Sequence, residues 1–303
     1  MHNRMTISRR EFLAGTSLAL SAAALPGNVF GALGETGYQS GCYTRPWDQW
    51  DYRVALDGIA EAGFKYAGLM TAKGKSWVII TVDSTAEEVQ TMAQEARQRG
   101  LQILSIYGGD FPVSRSVDAG IEGLKKLIDF CVICSCSNLL LGGTTEEKLF
   151  EPYYKVVAEC CDYAKSRKVG LSIKPHGGQN ATGPQCRTIL ERLARKEFRL
   201  WYDPGNIFYY SDGKLDPAED ARAVDGLVVG MSVKDFLPPK EVLVTPGTGK
   251  VDFRAVLSLL RKGGFRSGPV LVECLAKCDT PAAVTLEAIK SRKFLQGLLD
   301  LKD

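Results

Sequence analysis

The chain has 303 residues, of which 45% are hydrophobic and 24% are charged, and its formal net charge is +3. The apolar content excludes a disordered chain, and the length, glycine and proline counts exclude a disulfide-stapled miniprotein and collagen. The near balance of charge and the lack of a long basic stretch disfavour a dedicated nucleic-acid-binding protein. The length fits one large α/β domain or two ordinary domains.

The N-terminal segment has the layout of an export signal. The adjacent Arg9 and Arg10 are followed by an apolar run that extends to Leu25, and small residues follow that run. This order defines a signal peptide, and the paired arginines indicate the twin-arginine route. We therefore predict a signal over residues 1–32, a mature domain over residues 33–303, and export to the periplasm. The run is too short for a membrane-spanning helix, which needs about 20 apolar residues; the alternative interpretation is a buried N-terminal helix.

The rest of the chain alternates strand-like apolar runs with amphipathic helix-like runs. The predicted strands are residues 39–43, 66–70, 102–107, 138–141, 171–174, 199–203, 228–234 and 270–273. The predicted helices are about residues 51–62, 86–99, 117–134, 146–167, 184–195, 217–224, 253–262 and 281–299. Strands that are apolar on both faces indicate a parallel sheet, so this α/β pattern predicts a single (β/α)8 TIM barrel. An open doubly wound sheet is the alternative, but it would carry a glycine-rich turn after the first strand.

The carboxyl ends of the fifth and sixth strands carry candidate site residues, because catalytic groups in a barrel lie at that end. Strand five ends in Lys174, and His176 follows just before two glycines. A lone histidine is more often structural than functional, but His176 is the only histidine outside the predicted signal and its position favours a role in the site. Strand six ends in Asp203, which could ligate a metal or take a proton; the alternative is that Asp-Pro-Gly-Asn simply forms a turn.

The seventh and eighth strands also end in charged residues. Lys234 and Asp235 end strand seven, where a lysine could hold a substrate oxygen; the alternative is a solvated turn. Glu273 ends strand eight, and a carboxylate at this depth costs free energy unless it is paired or bound to a metal. Together Asp203, Glu273 and His176 make a mixed oxygen and nitrogen set that suits a divalent Mn, Mg, Zn, Co or Fe ion.

The nine cysteines do not form a disulfide framework. Cys131, Cys134 and Cys136 lie close together, but no second cysteine or histidine pair completes a zinc site. We predict that most cysteines are small core residues. An oxidising compartment would allow one disulfide, whose partners the sequence does not define.

Four motifs occur together at the predicted strand ends. They are Asp203-Pro204-Gly205-Asn206, Val233-Lys234-Asp235, Pro246-Gly247-x-Gly249-x-Val251-Asp252-Phe253 and Val272-Glu273. With these motifs, about residues 38–300 resemble the xylose-isomerase-like sugar phosphate isomerase/epimerase family. The resemblance implies a TIM barrel with one divalent metal, bound by Glu, Asp, His and Glu from the last four strands. Members move a proton next to a sugar carbonyl through an enediolate, while the metal stabilises the developing oxyanion.

The sequence keeps only part of the ligand set that this resemblance implies. Asp203 and Glu273 match the ligands of strands six and eight, but Lys174 stands where a glutamate is expected. The histidine expected on strand seven falls near Ser232, and His176 could supply an imidazole from another strand. An ammonium at Lys174 repels a cation, so metal occupancy stays open. A buried lysine can also act as a base or hold an enolate.

The first functional hypothesis is a metal-assisted isomerase or epimerase that acts on a sugar or keto-sugar. Glu273 would be the base, Asp203 and His176 would join it as metal ligands, and Lys174 and Lys234 would contact an oxyanion or hydroxyl.

Two residues after strand one are further candidates for contact with the sugar. Arg45 and Trp47 follow strand one, and they would hydrogen-bond to or stack on a sugar ring unless they are rim residues.

The second hypothesis is a 3-keto-glycoside lyase, because family members of that kind are exported and elimination needs only one base. The third is a non-catalytic sugar-binding barrel, which Lys174 and Ser232 favour and the retained carboxylates disfavour. In each case the expected partner is a small sugar, with no nucleic acid and no stable membrane span. The related endonuclease branch needs many more histidines than this chain has.

Overall fold

The computed structural model describes residues 37–300, and within that range eight parallel strands close into a barrel. The strands are β1 (Tyr38–Tyr43), β2 (Tyr66–Leu69), β3 (Gln102–Tyr107), β4 (Asn138–Leu141), β5 (Gly170–Ile173), β6 (Phe198–Tyr202), β7 (Val228–Val233) and β8 (Gly268–Val272). Each strand pairs in parallel with its neighbours in the chain, and β1 pairs with β8 to close the barrel. The predicted TIM barrel is confirmed.

Nine α-helices surround the strands in the described part of the chain. They are α1 (Tyr52–Glu61), α2 (Ala86–Gln98), α3 (Val117–Ile133), α4 (Glu147–Ser166), α5 (Gly183–Leu193), α6 (Pro204–Tyr210), α7 (Pro217–Ala221), α8 (Phe253–Lys262) and α9 (Pro281–Leu299). Their starts follow local capping chemistry. Thr85 and Glu88 form a reciprocal capping box at α2, and Thr280 caps α9 immediately before a proline.

Helix α6 is missing from the sequence-based prediction, which places no helix between residues 195 and 217 and offers a turn as the alternative role of Asp-Pro-Gly-Asn. In the structure Asp203 is the N-cap residue and its side chain accepts a hydrogen bond from the backbone N–H of Asn206. An aspartate followed directly by proline is a helix-start signal as well as a turn signal. The turn interpretation was therefore incomplete, and the extra helix directly follows a strand of the barrel.

Two apolar layers hold the barrel together. The larger one lies between the strands and the helices, and a smaller one fills the inside of the barrel with Tyr43, Met70, Leu104, Leu140, Trp201 and Leu271. Buried apolar surface of this kind contributes roughly 25 cal/mol per Å² to folding. Three buried polar side chains on neighbouring strands bond to one another. Asn138 of β4 donates a hydrogen bond to Ser105 of β3 and accepts one from Ser172 of β5, so each has a partner inside the barrel.

The glycine motif of residues 246–249 shapes the loop between β7 and α8. The carboxylate of Asp235 accepts hydrogen bonds from the backbone N–H groups of Phe236, Gly247, Gly249 and Val251, at 2.8–3.0 Å. A Cβ at position 249 would lie 2.4 Å from Asp235 Oδ1, and Gly247 has a φ of +89°. Both positions therefore require glycine. The motif fixes the loop beside the strand ends and supplies no side chain to them.

Three other predictions concern termini, membranes and cysteines. The predicted signal over residues 1–32 lies outside the described residues and stays a prediction. Between residues 37 and 300, no helix is both long enough and apolar enough to cross a bilayer. All nine cysteines are free thiols, and all except the half-buried Cys278 are buried, which agrees with their predicted place in the core.

Candidate active site

Four charged residues each stand immediately after one of the last four strands. Lys174 follows β5, Asp203 follows β6, Lys234 follows β7 and Glu273 follows β8. Their side chains are at most 3% exposed. Because adjacent parallel strands of a closed barrel end at the same rim, these equivalent positions bring the four groups together.

Glu273 is the centre of this charged cluster. Lys174 Nζ lies 2.8 and 2.9 Å from its two carboxylate oxygens, and Lys234 Nζ lies 2.6 Å from Oε1. Arg45 reaches across from β1, which neighbours β8, and donates to Oε1 at 2.9 Å. The hydroxyl of Ser232 donates to Oε2 at 2.6 Å. Both oxygens of Glu273 are therefore fully engaged by donors.

Asp203 bridges the same two lysines. Its Oδ2 lies 3.3 Å from Lys174 Nζ and 3.1 Å from Lys234 Nζ. Its Oδ1 accepts the backbone N–H of Asn206 at 3.0 Å, which caps α6. The Asn206 side chain accepts a hydrogen bond from Lys234 at 2.9 Å and donates to the carbonyl of Pro175 at 2.6 Å. Helix α6 thus positions both Asp203 and the amide that holds Lys234.

The cluster carries three cationic groups and two carboxylates, and this surplus of positive charge sets its acid–base behaviour. Burial by itself would raise the pKa of Glu273, but Lys174, Lys234 and Arg45 hold it well below its ordinary value. Burial lowers the pKa of Lys174 below the ordinary lysine value, even though Glu273 and Asp203 oppose the change. For Lys234 burial acts in the same direction, but Asp203 and Glu273 raise its pKa above the ordinary value.

His176 lies beside the cluster as a neutral imidazole. Burial, together with the charges of Lys174 and Lys234, lowers its pKa to about 3. Its ring packs edge-on against Tyr210, with ring centroids 5.8 Å apart. Within residues 37–300 the imidazole takes no part in the hydrogen bonds that join the two lysines and the two carboxylates. His176 is therefore a wall of the site and is not a member of the charged network.

The donor set of the cluster does not fit a divalent metal. Asp203 Oδ2 and Glu273 Oε1 each contact both ammonium groups, and the other carboxylate oxygens receive Asn206 and Ser232. Across the described range, no group of three or more His, Cys, Asp or Glu residues is arranged to hold a metal ion. Of the predicted ligands, Asp203 and Glu273 are brought together through Lys174 and Lys234, and His176 does not join them in a metal-binding group among the described residues.

The structure places the two predicted contact residues after β1 in different environments. Arg45 joins the cluster, with its side chain 23% exposed. Trp47 is fully buried in the core between the barrel and the outer helices. Its indole packs so closely on Gly58 of α1 that a Cβ there would lie 2.6 Å from the ring. The ring is not available to a sugar, so Trp47 belongs to the core and not to the site.

Two asparagines at the site, Asn180 and Asn206, were given no role in the sequence-based prediction. The side chain of Asn180 donates to the carbonyls of Gly142 and Lys174, at 3.0 and 2.9 Å, and so ties the loop after β5 to β4. Asn206 has a usable sequence signal, since it stands three residues after a helix-capping aspartate. Asn180 has none, because its partners are backbone groups brought together only by the fold.

Comparisons with known proteins identify a matching family and solved structures with a similar fold. The family model described as "Xylose isomerase-like TIM barrel" matches residues 56–296. Among solved structures, the chain is similar to a xylose isomerase domain protein from Planctomyces limnophilus, at 19% identity and a TM-score of 0.65, with 87% of this chain and 98% of that one covered. It is also similar to the D-allulose 3-epimerase of Methylomonas sp., at 16% identity and a TM-score of 0.68, with the same coverage of 87% and 98%. At these identities the structures establish the shared fold.

One curated relative is similar in sequence. It is a probable L-ribulose-5-phosphate 3-epimerase of Mycoplasma pneumoniae, 28% identical over 163 residues. The match covers 52% of this chain and 51% of that protein, so the chain spans about half the length of the curated relative.

Proposed function

This chain belongs to the xylose isomerase-like TIM barrel family, and from that premise we propose that it is a sugar isomerase or epimerase. The reaction we propose is transfer of a proton at the carbon next to a sugar carbonyl. One observation carries the proposal: an ionised, buried Glu273 is surrounded by three cationic groups at the carboxyl end of the barrel. The similar proteins named above add that epimerases of ketoses and of a sugar phosphate share this fold or sequence.

The cationic groups suit the charge that such a reaction creates. Removing a proton next to a carbonyl turns the carbonyl oxygen into an enediolate oxyanion. Preorganised donors in a water-poor site stabilise such an oxyanion strongly, and loss of one donor typically costs roughly 100-fold or more in rate. Lys174, Lys234 and Arg45 are charged donors already held in place by their contacts with Glu273. They are the groups that we assign to the oxyanion.

Glu273 is the proton acceptor in this proposal. It is ionised because its cationic partners favour the carboxylate, and the same partners restrain its basicity in the free enzyme. As negative charge develops on the substrate oxygen, the ammonium groups can shift toward that oxygen, which leaves Glu273 less neutralised and more basic. Proton abstraction and oxyanion binding then support each other.

The wall beside the lysines is neutral and aromatic. His176 stays uncharged, and Tyr107 and Tyr210 approach the same side of the rim. A neutral imidazole can both donate and accept a hydrogen bond, as sugar hydroxyls require. We assign this wall to the sugar hydroxyls that do not react.

The experiment is a proton-exchange assay with candidate sugars in D₂O. D-Allulose, D-fructose, D-tagatose, L-ribulose and L-ribulose 5-phosphate are each incubated with the protein, and NMR follows deuterium entry at the carbons next to the carbonyl. We expect exchange and a new sugar isomer with at least one of them. The Glu273→Gln variant should lose both, whereas Glu191→Gln, a surface change on α5, should not.

The other hypotheses give different outcomes in the same assay. A 3-keto-glucoside that releases its aglycone, without exchange in any ketose, would favour the lyase and contradict the isomerase proposal. Sugar binding without exchange, unchanged in Glu273→Gln, would favour the non-catalytic barrel. The named epimerases support isomerisation or epimerisation over elimination.

We also propose export by the twin-arginine route, which the sequence pattern of the first 32 residues supports. Changing Arg9 and Arg10 to lysine in the full chain should retain it in the cytoplasm of a host that has this pathway. Unchanged fractionation into the periplasm would contradict the proposal.

A further inference from the structure

We infer that the ammonium groups of Lys174 and Lys234 take the place of the divalent metal that resemblance to this family implies, so that the enzyme works without a bound metal. The catalytic part of the inference rests on the proposed function. Its statement about metal binding rests on the contacts alone.

The first step is the occupancy of the carboxylate oxygens. A metal at this rim would need oxygen atoms of Asp203 and Glu273 as ligands. Asp203 Oδ2 and Glu273 Oε1 already lie within 2.6–3.3 Å of both Nζ atoms, so the two ammonium groups and the two oxygens form a closed ring of ion pairs. The two cations thus occupy the space between the carboxylates that a metal ion would need.

The second step is charge. Arg45, Lys174 and Lys234 outweigh the two carboxylates, and the lysines and carboxylates are almost wholly removed from solvent. A divalent cation would bind at about 2.0–2.6 Å from the carboxylate oxygens, close to two ammonium groups that cannot be screened by water. Binding would therefore require expulsion or deprotonation of at least one lysine.

The third step is positioning, since a metal substitute must be held as firmly as a metal. Lys234 is anchored by the side chain of Asn206 at 2.9 Å, and Asn206 is fixed in turn on the carbonyl of Pro175. The backbone of Lys174 is fixed by Asn180, whose amide donates to its carbonyl at 2.9 Å. Both lysines are therefore held beside the carboxylates before a substrate binds, and their Nζ atoms need to move only from Glu273 toward a substrate oxygen next to it.

The reaction balances without a metal. The proton leaves the substrate carbon for the Glu273 carboxylate, and the C–H electron pair forms the C=C bond of the enediolate. The carbonyl π electrons move to its oxygen, where the lysines hold the negative charge. Transfer of that proton from Glu273 to the former carbonyl carbon on the same face, with the hydroxyl proton of the first carbon moving to the former carbonyl oxygen, gives the isomer. The epimer forms when water protonates the first carbon on its opposite face and the proton held by Glu273 passes to the resulting hydroxide. No oxidant or reductant is consumed.

Metal content is the direct test. Wild-type protein, purified without chelator or a histidine tag, is incubated with Mn²⁺, Co²⁺, Mg²⁺ or Zn²⁺, desalted and analysed by plasma mass spectrometry. We expect no retained metal in the wild type. The Lys174→Glu variant restores the acidic residue that the family pattern expects, and it should retain about one ion per chain of the ion that binds best and gain thermal stability with it. Stoichiometric metal in the wild type would overturn the inference, whether or not Lys174→Glu folds.

Turnover provides the second test, on any sugar that shows exchange. We expect EDTA to leave wild-type turnover unchanged and Lys174→Met or Lys234→Met to lower it by about 100-fold or more. Lys196→Met, on the exposed surface, is the matched control. Loss of turnover in EDTA that added metal restores would overturn the inference. If no sugar is turned over, the proposed function fails, but the metal analysis still decides whether the lysine pair excludes a metal.

Discussion

The two halves of the barrel end in opposite ways at the same rim. Strands β5 to β8 are each followed by a buried charged residue: Lys174, Asp203, Lys234 and Glu273. Strands β1 to β4 are each followed by an uncharged residue: Thr44, Met70, Gly108 and Gly142. All eight strands are parallel neighbours in one closed barrel, so we compare the two halves by the side chains that follow their strands. The β5–β8 half provides four of the five charged groups of the cluster, and the β1–β4 half adds one, Arg45, the second residue after β1.

The uncharged half leaves room for the neutral wall of the site. A Cβ at Gly142 would lie 2.7 Å from the hydroxyl of Tyr107 and 3.3 Å from Nδ1 of His176. Thr44 supports the rim by accepting the backbone N–H of Met70 at 3.0 Å. A larger or charged residue at these positions would close the space beside the lysines. The asymmetry therefore predicts that changes at the β5–β8 strand ends, and at Arg45, remove chemistry, while changes at the four uncharged positions after β1–β4 mainly alter stability or fit.

The largest expected effect is that of Glu273→Gln. The change leaves two buried lysines and the partly exposed Arg45 with a single carboxylate, and loss of one partner from a buried ionic network typically costs about 3–5 kcal/mol. We expect the free energy of unfolding to fall by about 5 kcal/mol and turnover to fall by about 1000-fold. Urea denaturation and initial rates measure the two quantities. Wild-type values for both would place the chemistry outside the charged half.

The next largest effect is at Asp203. Asp203→Asn keeps the N-cap acceptor of α6 but removes the charge shared by the two lysines, and should cost about 3 kcal/mol of unfolding free energy. Asp203→Ala also loses the cap, which should cost about 1 kcal/mol more. Urea denaturation of the pair separates the two contributions. Equal stability of the two variants would mean that the cap contributes nothing to α6.

A smaller effect is expected from acid, through His176. Its pKa is near 3 in the folded protein and about 6.5 in an unfolded chain, so below pH 6.5 the unfolded state binds the extra proton. Stability is therefore complete above pH 6.5 and should fall by about 2 kcal/mol between pH 7 and pH 5. The His176→Gln variant should lack this component in urea titrations at the two pH values. An identical loss in both proteins would contradict the buried neutral imidazole.

The smallest effect is expected in the β1–β4 half. Thr44→Val leaves the backbone N–H of Met70 without its acceptor and should cost about 1–2 kcal/mol, whereas Thr44→Ser keeps the hydroxyl and should be nearly neutral. Turnover should change little in either variant, because the hydroxyl of Thr44 bonds to the backbone of Met70 and the substitution leaves Arg45 in place. A loss of turnover comparable to that of Glu273→Gln would break the division between the two halves.

Most of the fold could be predicted from the sequence because the signals are local. Apolar runs and caps placed the strands and all but one of the predicted helices to within two residues, and strict alternation indicated the barrel. The helix predicted over residues 217–224 ends as α7 at Ala221 and continues as a 3-10 turn over Arg222–Val224. Helix α6 was missed because Asp-Pro-Gly-Asn satisfies both a turn and a helix start, and only the docking of the following residues, among them the buried Ile207, decides between them. Trp47 was assigned with Arg45 to sugar contact because both follow strand one. The two side chains leave the same short 3-10 turn for different environments, since Arg45 joins the charged cluster and Trp47 is buried in the core.

What the sequence determined by itself was which residues stand at the ends of the strands. The period of the apolar pattern is enough to locate Lys174, Asp203, Lys234 and Glu273. What only the tertiary structure decided was how those charges are paired. A strand end fixes a backbone position, but whether a lysine displaces a metal, binds a substrate or closes an ion pair depends on distances of a few tenths of an ångström between residues as far as 99 positions apart. Those distances follow from barrel closure, and closure brought two ammonium groups between two carboxylates.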